Sequence, residues 1–151
     1  MGETGGPGKW SAWSERIVEA NKGVVEEFRA NAGRVEGYFA GAPMLLLHHI
    51  GTRSGRERVN PLVYLRDGDD LVVAATKGGA PEDPDWYHNL KAHPRVVVEV
   101  GTDTFTVQAV EVTGEERDGL YRRLAQMRPA FAGYEKRTDR IIPVFRLTRV
   151  T

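Results

Sequence analysis

The feature that most constrains this chain is a series of short apolar runs separated by tight turns. Asp67-Gly68 lies between the runs 59–66 and 71–76, and an Asp-Gly pair so flanked closes a β-hairpin. An earlier run, 43–50, is apolar almost throughout, the pattern of a strand buried on both faces. Asn60-Pro61 stands near the start of the next strand, where proline removes a ladder donor and predicts an edge or a bulge. Residues 96–100 and 104–112 read as a second hairpin, and 144–150 as the last strand. Within 104–112, Phe105 and Val107 share one face while Val110 and Val112 share the other. That phase change predicts a bulge near Ala109, or a strand passing from one sheet face to another.

Helical periodicity fills the gaps. Residues 14–32 form an amphipathic pattern, with Trp10, Trp13, Ile17, Val24, Val25 and Phe28 on one stripe and Gly33 as the stop. Asp83-Pro84 reads as N-cap and first-turn proline of a short helix over 84–92 that stops before Pro94. Thr113 with Glu116 reads as a capping box opening a helix with Leu120, Tyr121, Leu124 and Met127 on one face, ended by Pro129. Residues 130–142 read as irregular, leaving Phe131 and Tyr134 open for use. Six mainly antiparallel strands joined by hairpins predict an α+β fold, mainly β: a small barrel with helices attached, not a doubly wound sheet. The expected division is a disordered tail over 1–9, an N-terminal helix over 10–34 and a barrel domain over 35–151.

Composition narrows the function classes. Basic and acidic residues number 21 each, which gives no bulk preference for nucleic acid. The chain has no cysteine, so disulfides, thiolate nucleophiles and thiolate metal sites are excluded. The longest apolar run, 44–47, is broken at His48, far short of a membrane span of ~18 residues. The N-terminus lacks a signal-peptide pattern, and a cytosolic protein is expected. His48 and His49 adjoin on a strand and point to opposite faces, while His88 and His93 are five apart, so no metal site is expected.

Two polar segments flank the first hairpin. Arg53-Ser54-Gly55-Arg56, followed by Arg58, offers guanidinium forks and a hydroxyl suited to phosphate or carboxylate. Thr76-Lys77-Gly78-Gly79 adds a lysine and bare backbone amides, without the spacing of a Walker loop. The hairpin folds the two together and predicts an anion pocket; a solvated arginine loop is the alternative. Trp86, Tyr87, Phe131 and Tyr134 would wall a flat ring or else fill the core. The first helix would pack on the domain, or lie at a membrane surface through its tryptophans.

The run L-L-L-H-H-I-G-T-R-S-G-R-E-R-V-N-P-L-V-Y-L-R-D-G, the later V-V-A-A-T-K-G-G-A-P-E-D-P-D-W-Y-H-N-L-K-A-H-P and then T-D-R-I-I-P closely resemble the actinobacterial deazaflavin-dependent nitroreductase family over residues 35–150. The resemblance implies a six-stranded split β-barrel, like those of FMN-binding oxidases, that binds coenzyme F420, an 8-hydroxy-5-deazaflavin with a phosphate and an oligoglutamate tail. It implies that Arg53, Ser54 and Arg58 meet the tail and phosphate, with Asn60 and Pro61 beside the cofactor. Ala75, Thr76, Lys77 and Gly78 would run along it, and Trp86 and Asn89 would wall it. The implied reaction is hydride transfer from F420H2 to a quinone, nitro compound or similar acceptor, with menaquinone-type quinones as physiological acceptors. Tyr134 or solvent would supply the proton. The chain departs from the family's nitroimidazole-activating members, keeping Tyr134 alone with Arg128 and Phe131 at two positions that carry tyrosine there, and Val63 in place of an aromatic. Val63, Arg128, Phe131 and Tyr134 are therefore the expected acceptor-side residues. The expected assembly is a monomer or homodimer, with peripheral membrane contact through the first helix. A non-catalytic F420 carrier and an FMN-binding split barrel are the alternative readings.

Overall fold

The computed structural model describes residues 11–150 of the chain, with side chains from residue 20 onward. The expected tail over 1–9 and Trp10 lie outside the described residues, as do the side chains of Trp13 and Ile17. The elements are α1 (Ser11–Ala30), β1 (Met44–Ile50), β2 (Glu57–Val63), β3 (Leu65–Asp67), β4 (Asp70–Ala74), α2 (Asp85–Ala92), β5 (Arg95–Val100), β6 (Asp103–Val112), α3 (Gly114–Met127), α4 (Ala130–Lys136) and β7 (Val144–Arg149).

One antiparallel sheet runs in the order β2-β1-β5-β6-β7-β4-β3. Its two edge segments, β2 and β3, are consecutive in the chain, separated only by Tyr64. The sequence predicts a single strand over 59–66 there. In the structure that strand pairs with β1 through Val63, then changes partner to β4 from Leu65. At the change, the Tyr64 amide bonds the Pro43 carbonyl at 3.0 Å. Six expected strands thus become seven segments, and the bent strand links the two sheet edges into a split barrel. Pro61 sits on β2, an edge strand in unbroken register with β1, so its missing donor needs no bulge.

Alternation along the strands explains why their sequences are so apolar. Leu45 and Leu47 of β1 face the barrel interior with Leu71, Val73, Val98, Val107, Phe145 and Leu147. Met44 and Leu46 face outward onto Phe28 of α1 and Val35. Val72, Val112 and Val144 face outward onto Leu120, Tyr121 and Leu124 of α3 and Phe131 of α4. The phase change in β6 has the same origin. Its register with β5 and β7 is continuous, so there is no bulge; Val107 and Ala109 belong to the interior and Val112 to the layer beneath α3.

Helix ends differ from the sequence reading in three places. α2 begins at Asp85 with Pro84 at the cap position, because the Asp83 carboxylate is held by Arg140 at 2.8 Å. Thr113 stands at the N-cap of α3 but makes no capping bond, and Met127 on the expected buried stripe is exposed. Residues 130–136, expected to be irregular, form α4, with Pro129 at its N-cap. Phe131 is buried there, not exposed. α1 ends as expected: Gly33, at φ +91°, donates to the Phe28 carbonyl at 2.8 Å.

Candidate functional site

A cleft of about 410 Å³ opens where β2, the turn after β4, the start of α2 and α4 converge. Arg58, Lys77 and Arg128 bring positive charge to its lining, Pro61 and Trp86 apolar surface, and Phe131 and Tyr134 aromatic rings. The strand that links the sheet edges is thus the strand that lines the cleft, through Arg58, Asn60, Pro61 and Val63.

The turn over 76–79 has an unusual backbone. Thr76 is right-handed (φ −75°, ψ −42°), whereas Lys77 and Gly78 take positive φ of 46° and 64°. This succession points consecutive amides into one concavity. The Lys77 and Gly78 amides make no hydrogen bond among the described residues. A left-handed lysine costs roughly 1–2 kcal/mol, so something must hold it there. Arg140, in the segment before β7, is that clamp. It donates to the carbonyls of Ala75 at 3.2 Å, Thr76 at 2.8 Å and Ala80 at 2.9 Å. Gly79 allows the turn to meet α4, since a Cβ there would lie 2.8 Å from the Tyr134 carbonyl.

Of the cationic side chains that line the cleft, Arg58 and Lys77 are held only loosely. Arg58 reaches Asp85 at 3.4 Å and Lys77 reaches Glu82 at 3.1 Å, both with exposed carboxylates. Exposed pairs of this kind contribute about 0–1 kcal/mol, so an anionic ligand can displace them.

Beneath Asn60 lies a buried polar chain. The Thr52 amide donates to Asn89 Oδ1 at 3.0 Å, Asn89 Nδ2 contacts His49 Nδ1 at 2.9 Å, and His49 Nε2 contacts Asn60 Oδ1 at 2.7 Å. His49 is 1% exposed, and burial holds its pKa below the ordinary histidine value. Its neighbour His48 points the other way, to Glu99 and Glu57.

On α4, the Tyr134 hydroxyl lies 2.9 Å from that of Tyr38. Burial pushes Tyr134 up to about 12, while the hydrogen bond shared with Tyr134 lowers Tyr38. Arg128 donates to the Tyr38 carbonyl at 2.6 Å and lies over the rings of Tyr38 and Phe39 at 4.8 and 5.5 Å. It has no carboxylate partner among the described residues. The Tyr121 hydroxyl donates to the Phe131 carbonyl at 2.6 Å and fixes α4 to α3.

Of the residues singled out in the sequence, Arg58, Asn60, Pro61, Thr76, Lys77, Gly78 and Trp86 meet at the cleft, and so do Val63, Arg128, Phe131 and Tyr134. Four do not. Arg53 lies exposed on the loop, and the Ser54 hydroxyl accepts the Arg56 amide at 3.2 Å within it. Ala75 is buried in the barrel interior, and Asn89 lies one layer below the cleft. Sequence reasoning passed over Phe39, Asn21, His49 and Arg140. Asn21 had a signal: it interrupts the stripe of Ile17, Val24 and Phe28 with a polar side chain. Phe39 had none beyond its glycine-bounded segment.

A family model described as F420H(2)-dependent quinone reductase matches residues 20–149. An F420H2-dependent quinone reductase of Mycobacterium tuberculosis H37Rv is 40% identical over 147 residues, 92% of this chain and 97% of that protein. Among solved structures, an F420H2-dependent reductase, FDR-A, superposes with a TM-score of 0.64 at 37% identity, over 70% of this chain and 93% of its own. A domain-swapped dimer superposes at 0.65 with 33% identity, over 93% and 98%. With the barrel, its cationic cleft and a match across nearly the whole chain in agreement, the chain belongs to the F420H2-dependent quinone reductase family.

Proposed function

We propose that the cleft seats F420H2 against its Arg58–Lys77 side and receives a quinone between Val63, Arg128, Phe131 and Tyr134. The observation that carries this is the meeting of two displaceable cations and the free Lys77–Gly78 amides with the apolar surface of Pro61 and Trp86. That combination fits a flat ring bearing an anionic tail. The chain is an oxidoreductase of its family, and coenzyme F420 is its cofactor. When bound, the reduced deazaflavin supplies a hydride from C5. Arg58 and Lys77 neutralise the phosphate, and the amides of the turn stabilise negative charge beside it. Arg53 and Ser54, at the outer end of the arginine loop, are left for the far end of the tail. Ala75 and Asn89 act from behind the cleft wall.

On the acceptor side, Arg128 offers positive charge to a reduced quinone oxygen. Tyr134, protonated at any assay pH near neutrality, donates the proton, and Tyr38 returns one from solvent through the 2.9 Å contact. Nitro compounds present the same oxygen-rich acceptor chemistry. We place the enzyme in the cytoplasm, meeting membrane-dissolved quinone through α1, which reaches the cleft at Asn21. The domain-swapped relative supports a homodimer.

The test is a fluorescence titration with F420 beside FMN, followed by F420H2 oxidation with menadione. Lys77→Ala and Arg58→Ala should each weaken F420 binding by about 1.5–3 kcal/mol. Unchanged affinity in both variants refutes the seat. Binding without menadione turnover makes the protein a carrier instead of a reductase.

A further inference from the structure

We infer that His49 is a positioning residue: it locks the Asn60 side-chain amide so that its N–H donors face the cleft, making that part of the seat selective for a carbonyl or ionised oxygen on the bound ring. The inference rests on the cleft being the seat of F420.

The orientation follows from one group that can only donate. The Thr52 backbone N–H lies 3.0 Å from Asn89 Oδ1, which fixes that atom as the amide oxygen. Asn89 Nδ2 therefore donates to His49 Nδ1 at 2.9 Å, and Nδ1 must be unprotonated. A neutral imidazole then carries its proton on Nε2, which donates to Asn60 Oδ1 at 2.7 Å. Asn60 Oδ1 is thereby occupied, and Asn60 Nδ2 has no partner among the described residues, on a side chain that lines the cleft. Four groups in series leave one degree of freedom, and the loop amide settles it.

Protonated His49 cannot fit this chain. A second N–H on Nδ1 would face the Asn89 NH2 group, and turning Asn89 over would set that NH2 group against the Thr52 amide. The surroundings also oppose the charge. His49 is buried, Arg58 stands directly across from it on β2, and His48 adjoins it in the chain; the bond to Asn60 and the charge of Asp85 on α2 act in its favour, and burial outweighs them. A histidine kept neutral at a buried site between two asparagines, where leucine would fill the space at less desolvation cost, is spent on orientation. Because the chain begins at Thr52, it also ties the arginine loop to the ring seat.

Two measurements decide the matter. Long-range 15N–1H NMR on the unliganded native chain should show His49 as the neutral Nε2–H tautomer at neutral pH. The Nδ1–H tautomer, or a charged ring, overturns the inference whether or not F420 binds. In F420 fluorescence titrations, His49→Leu should weaken binding about tenfold, the worth of one hydrogen bond from a correctly turned amide. His49→Gln, whose side-chain amide can donate from the place of Nε2, should return to within about threefold of native. Asn60→Ala should cost about tenfold in the native background and almost nothing in His49→Leu. Equal cost in both backgrounds, or His49→Leu binding like native, overturns the role of His49 while leaving the seat intact. If His49→Leu does not fold, the glutamine variant and the tautomer decide between the two outcomes. Failure of the native chain to bind F420 refutes the cleft as the seat.

Discussion

Arg140→Met separates stability from cofactor binding in a single substitution. Methionine keeps much of the stem's bulk and removes every donor. Three carbonyls and the Asp83 carboxylate lose the Arg140 donors, although the Thr76 carbonyl keeps the Gly79 amide at 2.9 Å. They do not lose equally. Ala75 is completely buried, so its carbonyl finds no water, and an orphaned acceptor there costs about 1–3 kcal/mol. Thr76 and Ala80 are partly exposed and can rehydrate, at about 0.5–1 kcal/mol each. The Asp83 pair is partly exposed on both sides and adds less than about 1 kcal/mol after screening. The sum is about 2–6 kcal/mol, to be set against the ~5–15 kcal/mol of a typical domain. Freed of the clamp, Lys77 relaxes from its φ of +46°, and the amides of the turn no longer converge. F420 affinity should then fall about tenfold, since the loss is that of one or two charge-assisted bonds. Arg140→Lys retains the charge and one carbonyl bond and should fall between native and methionine in both respects. Urea unfolding followed by tryptophan fluorescence reads the stability, and F420 titration the affinity. A loss of stability with affinity unchanged would show that the turn keeps its conformation without Arg140 and would refute the clamp.

Gly79→Ala should destabilise by about 1–3 kcal/mol, because φ is +84° and the new Cβ would lie 2.8 Å from the Tyr134 carbonyl. Menadione turnover should fall as α4 is displaced; native-like urea unfolding would show that the turn and α4 can part without cost. Glu99 holds Arg29 through two bonds of 3.2 and 2.7 Å and contacts His48 at 2.6 Å. The bond from Arg29 holds its pKa below the ordinary range. Its contribution is therefore full above about pH 4.3 and is lost as pH falls through the lower folded value. Glu99→Gln should flatten the stability profile between about pH 5 and 3, and an unchanged profile would show that the acid sensitivity arises elsewhere.

Legibility in the sequence followed the range of the interaction. Hairpins, the doubly buried β1 and the glycine-bounded turn are set by neighbours in the chain, and they stand where the sequence places them. The bend at Tyr64 was invisible because it depends on which strands lie on either side, β1 and β4, and no local pattern encodes that choice. Asp83 reads as an N-cap by composition, yet a guanidinium 57 residues away competes for it and wins. His49 read as one of two uninformative histidines, and only the cross-strand placement of Asn60 and the approach of α2 give it partners. Arg53 and Ser54 show the converse. A motif can bring cationic and hydroxyl groups to the right loop while the loop's own closure, Ser54 Oγ on the Arg56 amide, turns one of them away.

The two sides of the cleft are held by different means, and this bears on how the acceptor is chosen. Asn60, Pro61 and Lys77 project from barrel strands or from a turn clamped to them, and the buried chain through His49 locks the first. The acceptor wall is built from two short pieces far apart in sequence, Gly37–Phe39 and α4. They meet through the Tyr38–Tyr134 hydroxyl pair, and Arg128, just ahead of α4, bonds the Tyr38 carbonyl. None of these contacts includes a ladder hydrogen bond of the sheet. Substitutions at Arg128 or Phe131 can therefore reshape the proposed acceptor wall with less effect on the strands behind the proposed cofactor seat than substitutions at Val63, which lies on β2 itself and pairs with Met44. A Phe131→Tyr exchange should alter the ranking of acceptors in a menadione and nitroaromatic panel while F420 affinity stays within about twofold, since α4 meets the 76–79 turn through the Tyr134 carbonyl and Arg137 and not through the Phe131 ring. A matching loss of F420 affinity would show that the two walls form one packed unit and that acceptor choice cannot be varied apart from cofactor binding.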